Sequence, residues 1–244
     1  MDSAARLARQ RAIADLGLRA LAPADLGTLL RQAVHVVART LGAEHASILE
    51  LAPDGGEIRL RAGVGWEEGN VGHRARAEPG GHVAYVLGAA GPIVVEDLPS
   101  ERRFRPSTLL LEAGVRSSLA VRIPGPDGRA FGVVAVHTTE PRRFLPDEID
   151  FLGGVAAALA GAILRHRQAV ELNDTIVQTL VVARYALDSG RAEQATELID
   201  DALEHARALV DALLGNDPDG TAKPMPGDLR RTAAAVVPTP SPER

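Results

Sequence analysis

Between Pro146 and Leu187 nothing in the chain breaks a helix except the pair Gly153-Gly154, which costs about 1 kcal/mol per glycine relative to alanine. Pro146 suits a first helical turn, and Asp147 and Glu148 complement the positive end of the helix dipole. Ser189-Gly190 reads as a turn. Residues 191–214 read as a second helix, with Ala195, Leu198, Ile199, Ala202, Leu203, Ala206, Leu209, Val210 and Leu213 on one broad face and Gly215 placed to end it. One such antiparallel hairpin cannot bury both of its apolar stripes, so the pattern predicts a homodimer whose hairpins form a four-helix bundle. Beyond it, six prolines in the last 30 residues and little apolar content predict a disordered Pro-rich tail over 216–244.

The first part of the chain is punctuated differently. Residues 4–20 and 24–41 both show helical spacing; in the second, Leu26, Leu29, Leu30, Ala33, Val34, Val37, Ala38 and Leu41 recur at three and four residues. Pro23 stands at its start and Gly42 just past its end. After Gly42 the period becomes two. Residues 45–51 and 57–62 read as strands joined by the turn Pro53-Asp54-Gly55-Gly56. Gly63 to Pro79 reads as a mobile loop anchored by Trp66. A short helix over 81–88, a strand over 92–96 and another short helix around 106–112 follow. The clearest hairpin pairs 115–123 with 130–137 across Pro124-Gly125-Pro126-Asp127-Gly128.

Composition removes several function classes. The 244 residues suffice for one ordinary domain plus an appendage. The formal net charge of -5 is spread along the chain, and no basic arm or helix marks a nucleic-acid partner. The absence of cysteine excludes disulfides, thiolate metal sites, thiol switches and thioether-linked tetrapyrroles. The most apolar window, Phe151 to Leu164, is bounded by Asp150 and Arg165, short of the roughly 20 residues that span a bilayer. Arg6, Arg9 and Arg11 precede no uninterrupted apolar core, so no signal peptide is expected. A cytoplasmic protein without membrane contact is the expectation.

The order of elements, with Leu41-Gly42-Ala43, Gly91-Pro92-Ile93-Val94-Val95-Glu96-Asp97, Gly114-Val115-Arg116-Ser117-Ser118-Leu119-Ala120-Val121, Phe131-Gly132-Val133-Val134-Ala135-Val136 and Arg143-Phe144-Leu145-Pro146-Asp147-Glu148, resembles a GAF domain. The resemblance implies an α+β fold, a six-stranded antiparallel sheet flanked by helices, with a ligand pocket on one face in many members. The division expected is an N-terminal helix over 1–22, a GAF sensor domain over 23–165, a dimerisation hairpin over 166–215 and the tail.

Within the hairpin, Glu171-Leu172-Asn173-Asp174-Thr175-Ile176-Val177-Gln178-Thr179-Leu180 resembles the phosphoacceptor box of histidine kinases of the nitrate-sensor class, which reads Glu-Leu-His-Asp-x-x-x-Gln-x-Leu. Asn173 stands at the phosphorylated histidine. A carboxamide nitrogen has its lone pair delocalised into the carbonyl and cannot accept a phosphoryl group as imidazole does. No Asn-rich box or Asp-x-Gly-x-Gly loop for ATP follows, so no autokinase activity is expected. In the resembled family the acidic residue acts as a base in phosphotransfer and the glutamine orients water for dephosphorylation. Asp174 and Gln178, at i and i+4, share a helix face and could address one docked partner; the plainer reading is a solvated polar stripe.

Trp66, His73, His82, Tyr85, Phe104 and Phe131 are the ligand-pocket candidates, against the plainer reading that a core poor in aromatics places its few rings inside. No metal site is expected and the cofactor is unknown. Haem ligation, known in some GAF sensors, would fall to His82 or His73. The cyclic-nucleotide signature of the family is not met: Thr138-Thr139-Glu140 replaces its Asn-Lys, and Phe144-Leu145-Pro146-Asp147-Glu148 is one residue short. Arg165-His166-Arg167 interrupts the apolar stripe, either as a signal-relaying break or as a polar collar. The functional expectation is a non-catalytic signal-transduction protein, a GAF sensor coupled to a degenerate kinase-like hairpin that docks a histidine kinase or response regulator. The alternatives are a response-regulator phosphatase using Gln178 and Asp174, and a GAF ligand-binding dimer with no two-component partner.

Overall fold

Helix α1 (Ser3–Leu21) and helix α2 (Leu26–Leu41) open the fold. This computed structural model describes residues 3–21 and 25–214; Pro23, Gly215 and the tail expected over 216–244 lie outside the described residues. Asp25 caps α2, accepting from the Thr28 amide at 2.9 Å. Gly42 ends it in the left-handed region, φ 58°, with the Ala43 amide donating to the Ala38 carbonyl. Every apolar position predicted for the inner face of α2 is buried.

The strands are β1 (His45–Leu51), β2 (Glu57–Val64), β3 (Arg74–Arg76), β4 (Ile93–Val95), β5 (Ser117–Pro124) and β6 (Ala130–Thr138), with α3 (His82–Gly88) and α4 (Thr108–Glu112) inserted on either side of β4. They form one six-stranded antiparallel sheet in the order β3-β2-β1-β6-β5-β4. The segment expected to be a loop over 63–79 therefore carries an edge strand, β3. Its three residues, all exposed, show no apolar alternation to read.

The two faces of the sheet differ. One packs on α1, α2 and the first part of α5 (Pro146–Asp188) through Leu16, Leu30, Val34, Phe151, Leu152 and Leu159, against Ile48, Leu119, Val134 and Val136. The other carries Val133, Ala135, Ala120, Ile93 and Val95 beneath Val86 of α3, Leu110 of α4 and Phe104. Alternation along β6 sends Val134 and Val136 to the first face and Val133 and Ala135 to the second.

Two irregularities reverse that alternation locally. In β2, Ile48 pairs with Ala62 and Leu49 with Leu60, leaving Arg61 as an extra residue. In β6, Ile123 pairs with Gly132 and Pro124 with Ala130, leaving Phe131 extra. The latter turns Phe131 toward the core that faces α1, α2 and α5. Close by, a Cβ on Gly132 would lie 1.8 Å from the Leu49 carbonyl oxygen, so only glycine fits there.

The start of α5 is tied down by a buried carboxylate. Glu148, 5% exposed, accepts from Arg142 at 2.6 Å, from Arg9 of α1 at 3.3 Å and from the Leu145 amide at 2.9 Å. The last bond is the backward half of a capping box. Arg165 donates to the Ala20 carbonyl near the end of α1 at 2.9 Å, giving one member of the expected polar collar a structural role.

The chain divides into two compact units, Met1–Gln168 and Ala169–Arg244. In the second, α5 ends at Gly190, φ 74°, where the Arg191 amide donates to Ala186 and the Gly190 amide to Leu187. Helix α6 (Ala192–Leu214) completes the helical hairpin. Its buried positions are small: Ala183, Ala186, Ala195 and Ala202. Val177, Leu180, Val181, Tyr185 and Leu203 are exposed.

Candidate functional site

Both faces of the sheet hold buried polar side chains: Ser117 and Thr138, on the first, are hydrogen-bonded to backbone groups, whereas the second keeps polar atoms without protein partners. Ser47 of β1 (3% exposed), Ser118 of β5 (0%) and His137 of β6 (2%) are buried there with His82 of α3 (6%). Their placement follows from pleating: Ser118 shares a face with Ala120, and His137 with Val133 and Ala135. Ser118 and His137 are register partners on adjacent strands. Ser47 Oγ lies 3.4 Å from His137 Nε2. His82 Nε2, His137 Nδ1 and Ser118 Oγ are buried without a protein hydrogen-bond partner.

Aromatic rings enclose this floor. His82 stacks on Phe104, centroids 4.6 Å apart at 23°, and meets His137 edge-on at 6.4 Å. Tyr85 tilts against Phe104 at 5.4 Å. Trp66 lies between His45 at 4.8 Å and His137 at 5.5 Å, held by its Nε1–H donating to the Ala46 carbonyl at 2.8 Å. A void of about 30 Å³ touches Ser47, Trp66, His82 and His137. It adjoins a cleft of about 470 Å³ between the β2 edge, α3 and α4; Leu49, Leu60, His82, Val83, Ser107 and Leu109 line both.

The family model of the GAF domain matches residues 25–163. The chain belongs to the GAF family. Solved structures agree on the fold. The GAF domain of a phosphoenolpyruvate-protein phosphotransferase from Coxiella burnetii is 22% identical, covers 68% of this chain and 98% of that one, and superposes with a TM-score of 0.59. The free methionine-R-sulfoxide reductase of Neisseria meningitidis is 19% identical over 69% and 95%, TM-score 0.58. A phycocyanobilin-bound GAF domain of a cyanobacterial phytochrome is 20% identical over 64% and 94%, TM-score 0.53. No curated protein matches the chain.

In this GAF unit the sequence-predicted pocket residues separate. Trp66, His82, Tyr85 and Phe104 gather around the floor. His73 is exposed at the cleft wall. Phe131 packs with the core on the opposite face, for the reason given by its bulge. Ser47, Ser118 and His137 are the floor residues that sequence reasoning missed. Their only signal was one polar residue among the apolar inward positions of each of three strands.

Burial sets the electrostatics of the floor. Desolvation lowers His82 from 6.5 to about 4, with Glu101 opposing and Arg103 assisting. Desolvation takes His137 well below 6.5, helped by His82 and His45. Both imidazoles are therefore neutral at pH 7, each with one donor and one acceptor nitrogen. The nearest ion pair is self-contained: Arg103 contacts Glu101 at 2.5 Å, caps the Val94 carbonyl and lies 5.7 Å from the Tyr85 ring centroid. That pairing, chiefly the hydrogen bond from Arg103, holds Glu101 down at about 2.

Haem does not fit this floor. His73 is on the surface, and His82 is buried beside a void of about 30 Å³, far too small for a macrocycle. Among the described residues no group of three or more His, Asp and Glu is placed to hold a metal, and no helix is long and apolar enough to cross a membrane. A groove of about 720 Å³ runs between α1 and α2, lined by Arg11, Asp15, Arg19, Arg31, His35 and Arg39. These side chains are exposed, and none supplies a buried unpaired atom aimed inward.

The positions expected from the sequence to form a degenerate phosphoacceptor box lie on the second unit. Asn173, Asp174 and Gln178 are exposed on α5, with Asp174 and Gln178 one helical turn apart. The side chain of Leu172 lies outside the described residues.

Proposed function

We propose that this chain is a signalling protein whose GAF unit senses a small molecule and whose hairpin joins two copies and docks a two-component partner. The observation that carries the sensing is the floor of the pocket. Three buried polar atoms without protein partners, on His82, His137 and Ser118, lie on this face of the sheet; His82 and His137 line the inner void, and His82 also lines the adjoining cleft of about 470 Å³. Each such atom costs about 1–3 kcal/mol when it stays unpaired, so a fold that retains three of them keeps them for a group arriving from outside. Covalent attachment of a bilin through a thioether is closed to this chain, which has no cysteine. Native mass spectrometry of the full-length protein tests the reading. A copurifying small molecule that shifts the fluorescence of Trp66, the sole tryptophan, supports it; no molecule that perturbs Trp66 under any loading condition contradicts it.

The hairpin reading rests on Val177, Leu180, Val181, Tyr185 and Leu203, apolar and exposed on a helix pair whose inner contacts use alanines. Paired in a second copy, these side chains would contribute about 1.5–3 kcal/mol each for full burial. Exposed Asp174 and Gln178 then face a docked histidine kinase or response regulator while Asn173 cannot take phosphate. Sedimentation of the full chain at micromolar concentration tests the dimer. A response-regulator phosphatase activity, if that is the role of the docking face, disappears in Gln178→Ala while the dimer persists.

A further inference from the structure

Resting on the pocket reading above, we infer that the floor selects an uncharged ligand head that both donates and accepts hydrogen bonds, a carboxamide or lactam, on an apolar body. The polar side chains around the inner void are Ser47, Trp66, Ser107, His82 and His137, and none carries a formal charge at pH 7. A carboxylate, phosphate or ammonium delivered there would be buried without a counter-ion, which costs far more than the hydrogen bonds return.

Charge is kept at the rim. Arg76, Glu78, Arg105 and Glu112 line the cleft as two cations and two anions, all exposed, so their fields offset one another. Glu101 and Arg103, the charged groups beside His82, are committed to each other. The floor thus offers no net attraction for either sign.

What it does offer is complementary to an amide. A neutral imidazole presents one N–H and one lone pair, and a serine hydroxyl presents both. His82 Nε2 and His137 Nδ1 are the atoms left to be matched, with Ser118 Oγ beside His137 in the sheet register. Ser107 is not free for this, since its side chain caps α4 at the Leu110 amide, 3.4 Å away. Leu49, Leu60, Val83 and Leu109, common to void and cleft, supply an apolar sleeve for the rest of the molecule.

The test uses four probes of one shape: benzamide, benzoate, benzamidine and toluene, titrated into the full-length protein at pH 7 and followed by Trp66 fluorescence and calorimetry. Benzamide is expected to bind about tenfold more tightly than each of the others, the equivalent of one well-made neutral hydrogen bond. His82→Phe is expected to bring benzamide to the level of toluene without weakening toluene. Benzoate or benzamidine matching or exceeding benzamide overturns the inference while leaving the pocket a ligand site. Toluene equal to benzamide in the wild type overturns it too, because the floor then makes no bond to the head. No response to any of the four, with Trp66 unperturbed, overturns the pocket reading itself.

Discussion

The two faces of the GAF sheet are made by the same strands and do different work. Toward α1, α2 and α5 the strands present Ile48, Leu119, Val134 and Val136 to a continuous apolar core. Toward α3 and α4 the same strands present Ser47, Ser118 and His137 among small apolar residues. An apolar core fills space and lowers free energy; buried polar atoms without partners raise it. The first face therefore holds the fold, while the second carries buried hydrogen-bonding atoms that the protein leaves unpartnered.

Substitutions on the two faces should separate these roles. The largest effect is expected on the helix-packed face. Leu30→Ala, fully buried in α2, should cost about 3–4 kcal/mol in urea unfolding and weaken binding only by depleting folded protein. Glu148→Ala, which leaves Arg9 and Arg142 without their buried partner, should cost about 3 kcal/mol and loosen α1 from the start of α5. Outside the GAF unit, if the hairpins pair as proposed, Leu180→Asp should give a monomer in sedimentation while leaving the GAF unfolding transition in place.

Acid should act through the polar face. His82, lowered from 6.5 to about 4, and His137, lowered well below 6.5, bind fewer protons folded than unfolded. Their contribution to stability is full above about 6.5 and is lost as pH falls through about 4. Glu101, held at about 2, gives up its contribution only below about 4.5, so the window from 6.5 to 4.5 belongs to the histidines. The urea midpoint should fall across that window, and less steeply in His82→Phe.

How much of this was legible differs between the same two faces. The buried stripe of α2, the hairpin of β5 and β6 and the extent of α5 could be read because helical and strand periodicity report burial directly. The reversals at Arg61 and Phe131 could not, since one inserted residue changes which side a strand faces without changing its composition. Phe131 was for that reason grouped with the pocket aromatics, although it packs on the opposite side. Ser118 and His137 were passed over because a polar residue inside a strand pattern looks like a solvent-facing one until its register partner is known. Edge strand β3 left no signal at all in three exposed residues.

If the polar floor is kept for a ligand at the expense of the fold, His82→Phe separates that role from a structural one. The substitution removes an unpartnered buried nitrogen, retains a ring against Phe104 and is read by urea unfolding at pH 7 beside the wild type, without ligand. The unfolding free energy is expected to stay unchanged or to rise by up to about 1 kcal/mol, together with loss of the benzamide preference. A loss of more than about 1 kcal/mol would show instead that His82 supports the folded core and is not held in reserve for a ligand.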